Sequence, residues 1–336
     1  MKILVTGGAG FIGHHFIEHI LRETDWEIII LDRLSHVGSM KRIVDIDGWE
    51  GYKDRVRLVW HDLRGAINST TSSGIGKVGH IFHFASSSHV EDSIKDPMRF
   101  IMDNEIGSCN LMLWALDNLE SGGKFFNFST DEVFGSAPNR YAYKEGDRWR
   151  PSNPYSASKA GQSGMGYAFW NTYGLPVIST FTMNNFGERQ HSNKFIPLIV
   201  KNILNCYPVN IHCKIVDGKP VEIGQRTWLH CRNTASALLF LTEKGSPGEF
   251  YNIIGFDEWD NEALAKLVGD IMDREVKFNY IDFHSVRKGH DRRYALDGTK
   301  LKNMGWNPPV SFDNGLKKTI NWMTNVKNLK WLELGV

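Results

Sequence analysis

Short apolar segments alternate with longer amphipathic segments through the first half of the chain. Six runs have the length of a strand: KILVTG, EIIILD, VRLVWHD, HIFHFA, KFFNFST and PVISTFTM. Short apolar runs separated by helical patterns are typical of parallel strands that are buried on both faces in β-α-β units. The pattern therefore predicts an α/β fold with a Rossmann-type, doubly wound parallel sheet, and functional residues at the carboxyl ends of its strands.

The alternation changes close to residue 186, where helical periodicity becomes more frequent. The segments KFIPLIVKNIL, TASALLFLTEKG and NEALAKLVGDIMD have apolar positions spaced as in helices, and the polar stretch KIVDGKPVEIGQR interrupts them. The pattern predicts a Rossmann domain over residues 1–185 that carries the catalytic residues. It also predicts a smaller C-terminal α/β lobe over residues 186–336, mostly for substrate binding, from which some segments return to the first sheet.

Charge is balanced along the chain and offers no general attraction for polyanions. The 336 residues include 39 lysines and arginines against 38 aspartates and glutamates, so we predict neither nucleic-acid binding nor attachment to an anionic membrane. No run approaches the roughly 18 apolar residues of a membrane span. The N-terminus MKILVTGGAGFIG lacks the features of a signal peptide, and the sequence therefore predicts a soluble, cytoplasmic protein.

The cysteines indicate a reducing compartment and no metal site. There are four cysteines in the chain, without the CxxC spacing of zinc sites or the density of a disulfide scaffold. Cys206, His212, Cys213 and Cys231 could be imagined as a metal cluster, but their spacing matches none of the recurrent zinc patterns. We therefore predict that the protein holds no metal.

A glycine-rich segment follows the first predicted strand and opens a helix. In TGGAGFIG, the residues Gly7, Gly10 and Gly13 permit a tight turn and a close approach of the backbone to a pyrophosphate. Asp32 ends the second predicted strand, about 20 residues further on, where a carboxylate binds the adenosine ribose. Asp32 would repel a 2′-phosphate, which favours NAD over NADP, although the neighbouring Arg33 leaves this preference open and the carboxylate could instead cap the strand.

The segment NPYSASKAG contains a tyrosine and a lysine that share one face of a helix. Tyr155 and Lys159 are four residues apart. A lysine ammonium beside a phenol favours the phenolate and is expected to lower the pKa of the tyrosine. Tyr155 could then remove a hydroxyl proton while a hydride leaves for a nicotinamide.

Two adjacent carboxylates, Asp131 and Glu132, follow Thr130 at the end of the apolar strand KFFNFST. A buried strand end is a costly place for charge, which suggests a chemical role. Adjacent acids can serve as donor and base if their environments separate their pKa values. The alternative is a solvated turn after the strand.

The order of TGGAGFIG, STDEVFG and YSASK resembles the extended short-chain dehydrogenase/reductases, the nucleotide-sugar epimerases and dehydratases. Within that group, STDEVFG resembles the signature of the dTDP-glucose 4,6-dehydratase family, and the match covers nearly the whole chain. The resemblance implies a hydro-lyase with bound NAD. In the implied reaction Tyr155 removes the proton of the carbon-4 hydroxyl, with Thr130 hydrogen-bonded to the same oxygen, while NAD accepts the carbon-4 hydride. Glu132 then removes the carbon-5 proton and Asp131 donates to the departing carbon-6 hydroxyl, so that water is lost, and NADH returns the hydride to carbon 6.

The resemblance also implies the ligand-binding residues. Those for NAD are Gly7, Gly10, Phe11, Ile12, Gly13, Asp32, Arg33, Leu34, Ser35, Asp62, Leu63, Phe84, Ala85, Ser86, Asn104, Tyr155 and Lys159. Those for the nucleotide sugar are Ser88, Asn185, Lys194, Phe195, Asn210, His212, Arg226, Asn261, Arg287 and His290. The resemblance for the nucleotide-sugar residues rests on the segments NNFG, NKFIP, QRTWL and RKGHDRRYALD. Arginine is suited to binding phosphate because its planar guanidinium can donate to two oxygens at once.

Several segments depart from the family. HLAAESHVDRSI becomes HFASSSHVEDSI, which places Ser86 and Ser87 where the family has alanine and glutamate. PLPIYG becomes PVNIHC, YVEDHA becomes HCRNTA, and residues 214–225 form a longer insertion. The dehydration residues are intact while the nucleotide-recognition segments are altered, so dTDP-glucose, UDP-glucose and an amino-sugar nucleotide all stay open as substrates.

Two other functions fit parts of this pattern. An epimerase or decarboxylase acting on a similar nucleotide sugar would use the tyrosine and the lysine, but simple epimerisation does not need both carboxylates. A non-catalytic NAD-binding protein would be free to lose Tyr155 or Lys159, and both are present. The resemblance further implies a homodimer through helices around residues 98–119 and 153–173, which would form a four-helix interface.

Overall fold

Seven parallel strands form the central sheet of the computed structural model, which describes residues 1–35, 37–282 and 291–333. The strands are β1 (Lys2–Thr6), β2 (Glu27–Asp32), β3 (Val56–Trp60), β4 (Val78–His83), β5 (Leu119–Thr130), β6 (Val177–Thr182) and β11 (Phe250–Ile253). Their order across the sheet is β11-β6-β5-β4-β1-β2-β3. The α/β fold and all six strands predicted from apolar runs are confirmed.

Two small sheets lie in the second half of the described chain. Their orders are β12-β10-β7 and β13-β8-β9. The strands are β7 (Asn184–Phe186), β8 (Val209–Val216), β9 (Lys219–Val221), β10 (Gln225–His230), β12 (Glu258–Asp260) and β13 (Phe278–Asp282). The polar stretch predicted to interrupt the helices thus forms the β8–β9 hairpin and the start of β10.

Helices cover the sheets. The α-helices are α1 (Phe11–Glu23), α2 (Lys41–Val44), α3 (Trp49–Tyr52), α4 (Ser69–Ile75), α5 (Val90–Lys95), α6 (Pro97–Phe100), α7 (Gly107–Asn118), α8 (Pro154–Tyr173), α9 (Phe195–Leu204), α10 (Cys231–Lys244), α11 (Asn261–Ile271), α12 (Thr299–Asn303), α13 (Phe312–Thr324) and α14 (Lys330–Glu333). A π-helix spans Ile101–Ile106, and 3-10 turns span Lys53–Arg55, Asp131–Phe134 and Val326–Asn328. None of the described helices combines the length and apolar content that crossing a bilayer requires.

The core is divided among the two faces of the large sheet and the second half of the chain. One cluster joins Phe16 and Ile20 of α1 to Leu238 of α10, so a helix from beyond residue 186 packs on the first sheet. A separate cluster includes Ile199 of α9 and Leu264 of α11. β11 likewise extends the first sheet beside β6, and the predicted domain boundary at residues 185 and 186 stays a prediction.

The strand order reverses at β1, which has β2 on one side and β4 on the other. At such a reversal the connections leave towards opposite faces, and a crevice opens beyond the carboxyl ends of the strands. The glycine-rich turn follows β1, and the paired carboxylates follow β5 at the same edge. The topology therefore brings the glycine-rich turn and the paired carboxylates to the same edge of the sheet.

Candidate active site

The turn after β1 has no room for side chains at two of its glycines. A Cβ on Gly7 would lie 2.6 Å from the backbone nitrogen of Ala85, and Gly7 has a φ of +67°. A Cβ on Gly13 would lie 2.4 Å from the carbonyl oxygen of Gly7. The turn is therefore packed directly against the end of β4 and the start of α1, as the close approach of a pyrophosphate requires.

Asp32 ties this turn to the segment after β2. Its Oδ2 accepts a hydrogen bond from the Ala9 N–H at 3.1 Å, and its Oδ1 accepts one from the Leu34 N–H at 2.8 Å. Burial raises the pKa of Asp32, and these hydrogen bonds and two arginines act against that rise. The carboxylate thus caps the strand end, as the alternative reading supposed, and also lines the crevice.

The crevice is lined by many of the residues predicted for NAD. Those among its lining residues are Gly7, Gly10, Asp32, Arg33, Ser35, Asp62, Leu63, Phe84, Ala85 and Ser86. Sequence reasoning missed Leu31, Val37, Gly38, His61, Arg64 and Asp103, which also line it. These residues carry no motif of their own, because the chain brings them together from segments that follow different strands.

Thr130, Asp131 and Glu132 lie where β5 passes into a 3-10 turn. The Thr130 hydroxyl donates to Asp131 Oδ1 at 2.9 Å, and Thr130 Oγ1 accepts a hydrogen bond from the Glu132 N–H at 3.4 Å. Asp131 is only 4% exposed, and its Oδ2 has no hydrogen-bond partner among the described residues. The alternative reading of a solvated turn is therefore wrong.

The two carboxyls have different surroundings. Burial, followed by the charge of Glu132, raises the pKa of Asp131 to about 7. Burial also raises the pKa of Glu132, but the Arg226 charge and hydrogen bonds to its carboxylate counteract the rise. Glu132 Oε2 accepts from Asn153 Nδ2 at 3.4 Å and from the Tyr294 hydroxyl at 3.3 Å. Asp131 is thus the better placed to hold a proton near neutral pH, and Glu132 to be ionised.

Tyr155 and Lys159 lie on α8, whose first turn is fixed by an Asn153–Ser156 capping box. Lys159 Nζ donates to the Phe128 carbonyl and to Gln162 Oε1, each at 2.6 Å. Burial lowers the pKa of Lys159 to about 7. Burial, followed by the charge of Glu132, raises the pKa of Tyr155 well above its usual value. The predicted lowering of the tyrosine pKa is therefore wrong for this arrangement, because burial and carboxylate charge dominate.

Arg226, predicted to bind the nucleotide sugar, donates hydrogen bonds to backbone carbonyls of the protein. Its guanidinium donates to the carbonyls of Arg292 and Asp291, each at 2.8 Å, and lies 4.3 Å from the centre of the Tyr294 ring. Its charge opposes the rise in the pKa of Glu132. The arginine therefore holds the segment after residue 290 in place and tunes the acid pair.

The other predicted sugar-nucleotide residues are spread around the crevice and the second half of the chain. Lys194 directly precedes α9 and makes no side-chain capping hydrogen bond. Burial lowers its pKa, while the nearby Glu132 charge acts in the opposite direction. Asn185 Oδ1 accepts from the Thr234 hydroxyl at 2.6 Å. Ser88 is exposed after β4, and Phe195 stacks on Trp228. Asn210 Oδ1 accepts a hydrogen bond from Asn279 Nδ2. His212 lies on β8, and Asn261 is the first residue of α11. Arg287 and His290 lie outside the described residues.

Sequence reasoning missed three side chains beside the acid pair. Asn153 and Tyr294 donate to Glu132, and the Tyr294 hydroxyl also lies 2.9 Å from Asp291 Oδ2. Asp291 further accepts a hydrogen bond from the Ser152 hydroxyl. Asn153 lies in the segment NPY, and Asp291 and Tyr294 lie in HDRRYALD. Both segments were singled out in the sequence, the first for its tyrosine and the second for its basic residues, so these motifs were the available signal.

A second buried polar cluster joins α1, the segment after β7 and α10. Donor atoms of His15, Glu188 and Cys231 lie within 4.8 Å of one another. The Glu188 carboxylate lies 3.3 Å from the Arg232 guanidinium and 3.5 Å from His230 Nε2. Burial raises the pKa of Glu188, but the neighbouring His230 and the charge of Arg232 outweigh burial and hold that pKa well below its usual value. We describe this cluster as the ion pair of Glu188 and Arg232 with two histidines packed beside it, since the arginine already compensates the carboxylate.

Comparison with known proteins gives matches along nearly all of the chain. The family model described as GDP-mannose 4,6 dehydratase matches residues 4–319. A dTDP-glucose 4,6-dehydratase of Shigella flexneri is 34% identical, with 99% of this chain and 95% of the relative covered. The low-salt glycan biosynthesis protein Agl12 of Haloferax volcanii is 35% identical, with 96% of this chain and 98% of the relative covered.

Solved structures of nucleotide-sugar dehydratases and epimerases also match nearly the whole chain. DesIV, a dTDP-glucose 4,6-dehydratase from Streptomyces venezuelae solved with NAD bound, has a TM-score of 0.88 and 34% identity, with coverage of 99% of this chain and 100% of that one. UDP-glucose 4-epimerase from Thermus thermophilus, also in complex with NAD, has a TM-score of 0.84 and 25% identity, and the match covers 97% of this chain and 100% of the epimerase chain. Since dehydratases and epimerases share the fold, the function must be argued from the site.

Proposed function

We propose that this chain, which belongs to the GDP-mannose 4,6-dehydratase family, is an NAD-dependent nucleotide-sugar 4,6-dehydratase, a hydro-lyase of deoxysugar biosynthesis. The observation that carries the proposal is the pair formed by the buried Asp131 and the half-buried Glu132, beside Thr130 and Tyr155. Removing water across two carbons requires one group that takes a proton from carbon 5 and another that gives a proton to the leaving hydroxyl. Simple epimerisation does not require both.

The residues divide the work by their surroundings. Tyr155 takes the proton of the carbon-4 hydroxyl, and Thr130 hydrogen-bonds the same oxygen. Because burial and the Glu132 charge raise the pKa of the phenol, this role would depend on the positive charge of the oxidised nicotinamide when NAD is bound, which favours the phenolate. Glu132 then removes the carbon-5 proton, which the carbon-4 ketone has made acidic. Asp131, whose pKa burial raises to about 7, donates to the carbon-6 hydroxyl as it leaves. A pair of carboxyls with separated pKa values is what acid and base roles in one site require.

The crevice after β1 and β2 fits a dinucleotide. The glycine turn leaves no room for a Cβ at Gly7 or Gly13, the N-terminus of α1 faces the turn, and Asp32 lies at the end of β2 for the ribose hydroxyls. NAD, when bound, accepts the hydride from carbon 4 and returns it to carbon 6. Because it is regenerated in every turnover, we expect it to stay with the protein.

The substrate is proposed to be dTDP-glucose or UDP-glucose. Relatives and structural neighbours named as dTDP-glucose 4,6-dehydratases support the first. Lys194, close enough to feel the charge of Glu132, is proposed to contact the sugar nucleotide, and Phe195, Asn210, His212 and Asn261 to lie along the nucleotide path. The departures PVNIHC and HCRNTA keep the base an experimental question.

We further propose a homodimer that works in the cytoplasm. The helices predicted for the interface expose apolar side chains, including Met98 at 60%, Leu113 at 49% and Tyr173 at 59%, which is typical of a face that another subunit covers. The four cysteines are free thiols, which suits a reducing compartment. Light scattering should give about twice the mass of the 38.3 kDa chain, and Met98→Glu with Leu113→Glu should give monomers, whereas an unchanged mass would exclude this interface.

The test of function is to incubate the purified protein, without added NAD, separately with dTDP-glucose and UDP-glucose. A 4-keto-6-deoxy product is followed by its alkali-induced absorbance and by the mass loss of one water. Product from either nucleotide would support both the dehydratase and the retained cofactor. A product of unchanged mass would identify an epimerase, and loss of carbon dioxide a decarboxylase. No turnover of either nucleotide sugar, even with NAD added, would mean that the substitutions have redirected the site, and a wider panel of nucleotide sugars would then be screened; inactivity on the whole panel would favour a non-catalytic protein.

A further inference from the structure

Arg33 lies where an arginine can bind the extra phosphate of NADP. It follows Asp32 directly at the end of β2, and both residues line the crevice. In dinucleotide-binding folds the acidic residue at this strand end binds the ribose 2′-hydroxyl, while an arginine nearby accommodates a 2′-phosphate. Asp32 and Arg33 therefore favour opposite cofactors, and the surroundings of Arg33 must decide between them.

The Arg33 guanidinium is already occupied by a carboxylate from a distant segment. Its Nη1 donates to Asp103 Oδ1 at 2.7 Å and its Nη2 to Asp103 Oδ2 at 2.8 Å. Nη1 also lies 3.4 Å from Asp62 Oδ1. The Asp103 side chain is only 4% exposed and that of Arg33 is 27% exposed, and a bidentate pair between an arginine and a buried carboxylate is among the stronger ion pairs in proteins. Arg33 is therefore held by two carboxylates.

A second arginine of the crevice is occupied in the same way. Arg64 Nε lies 2.9 Å from Asp62 Oδ2, and its Nη2 lies 2.5 Å from the same oxygen. The charged groups that line the crevice are thus the carboxylates of Asp32, Asp62 and Asp103 and the guanidinium groups of Arg33 and Arg64. A third guanidinium, that of the buried Arg42, also acts on Asp32, but it donates to the backbone carbonyls of Arg189 and Val37. An added phosphate would therefore meet carboxylates and arginines that already have partners.

Asp103 is itself held by the segment after β4. The Ser87 hydroxyl donates to Asp103 Oδ2 at 2.6 Å. Asn104 clamps the Ser87 backbone, because its Oδ1 accepts from the Ser87 N–H at 2.8 Å and its Nδ2 donates to the Ser87 carbonyl at 3.0 Å. Both Asp103 and Asn104 are buried in the π-helix Ile101–Ile106. Where the resembled family has glutamate at position 87, this chain has a serine that orients a carboxylate supplied by the helix.

We propose that Asp103, oriented by Ser87, is a specificity-determining residue that makes the crevice reject NADP by sequestering Arg33. The proposal rests on the proposed use of NAD and deepens it. Asp32 alone excludes a 2′-phosphate only by repulsion. Asp103 in addition removes the cation that would otherwise compensate that repulsion.

The test measures the affinities of NAD and NADP by calorimetry on the protein after removal of bound dinucleotide, and identifies the dinucleotide extracted from freshly purified protein. Asp103→Asn keeps the shape of the side chain but removes the bidentate carboxylate from Arg33, which then keeps only the longer contact to Asp62. Asp103→Ser serves as a second variant in case the amide disturbs folding. The double variant Asp103→Asn with Arg33→Gln removes the freed cation. Asp117→Asn, an exposed carboxylate on α7, is the matched control.

We expect wild type and the Asp117 control to prefer NAD, and Asp103→Asn to raise the affinity for NADP relative to NAD about tenfold, as one freed charge at hydrogen-bond distance can do. The gain should vanish in the double variant, which would show that Arg33 carries it. An unchanged ratio in both Asp103 variants, or a gain that persists without Arg33, would overturn the inference while leaving the dehydratase proposal standing. Failure of wild type to bind either dinucleotide would overturn both.

Discussion

The ammonium of Lys159 donates a hydrogen bond to the amide oxygen of Gln162 at 2.6 Å, and the Gln162 side chain is fully buried. The other end of the amide is also fixed, because Gln162 Nε2 donates to Asn127 Oδ1 at 2.6 Å. The glutamine therefore cannot turn its oxygen away from the lysine. It is a positioning residue that supports the charged form of Lys159 inside a buried helix face.

Replacement of Gln162 should move the alkaline limb of the activity profile. Burial lowers the pKa of Lys159 to about 7, so the ammonium is lost as pH rises through that value, and we expect activity that depends on a charged lysine on this helix face to fall with it. Gln162→Met removes an acceptor and should shift the alkaline limb of kcat to lower pH, whereas Gln162→Glu adds a negative charge and should shift it to higher pH. Identical limbs in both variants and wild type would show that Gln162 does not act through the lysine.

Asp131→Asn and Glu132→Gln should stop the reaction at different steps. Each removes one partner of general acid–base catalysis, and we expect turnover to fall about 10²–10⁴-fold in both. In heavy water, Asp131→Asn should still exchange the carbon-5 hydrogen because Glu132 remains as base, while Glu132→Gln should not. Mass spectrometry of recovered substrate measures this, and exchange in the Glu132 variant would reverse the assignment.

The burial of Asp131 should lower the stability of the protein at alkaline pH. Its pKa is raised from 3.8 to about 7, so the folded state keeps a proton that the unfolded state has released between these values, and stability falls as pH rises through that window. Asp131→Asn removes this effect. Urea unfolding should show the variant more stable than wild type by on the order of 3 kcal/mol at pH 8 and by less at pH 5; an equal difference at both would contradict this.

Gly13→Ala should disrupt the turn that receives the pyrophosphate. Its Cβ would lie 2.4 Å from the Gly7 carbonyl oxygen and 2.8 Å from Gly8 Cα, both backbone atoms. We expect a loss of about 1–3 kcal/mol of stability together with loss of bound dinucleotide. Gly74→Ala on α4, which meets nothing within 4 Å, should instead stabilise by about 0.5–1 kcal/mol. Thermal melts and dinucleotide content compare the two, and equal effects would refute the packing argument.

Hydrophobic periodicity was sufficient for six of the seven strands of the main sheet, because these strands are short apolar runs with helices between them, but it did not locate β11. It was also sufficient to place Thr130 and Glu132 at the same edge of the sheet as the glycine turn, since parallel strands end at one edge. It could not find Asn153 or Tyr294 beside Glu132, because the tyrosine comes from a segment about 160 residues away and neither side chain has a spacing rule.

The direction of the Tyr155 pKa shift was also not predictable from the sequence. Helical spacing puts Lys159 on the correct face, and from that spacing we expected the lysine to lower the tyrosine pKa. The structure turns the ammonium towards Phe128 and Gln162 and buries the phenol beside Glu132. Sequence separation within a helix determines which face a residue shares, whereas side-chain direction and burial determine which charges it feels.

By itself, the sequence determined the α/β fold, the order of motifs, and the identity of the groups that can exchange protons and hold a dinucleotide. These follow from local periodicity and from residue chemistry, which any segment carries with it. Only the tertiary structure decided that Asp103 occupies Arg33, that Arg226 is bound to backbone carbonyls, and that Asp131 and Glu132 differ in their surroundings. Those outcomes depend on distances between segments far apart in the chain and on exclusion of water, which exist only once the chain has folded.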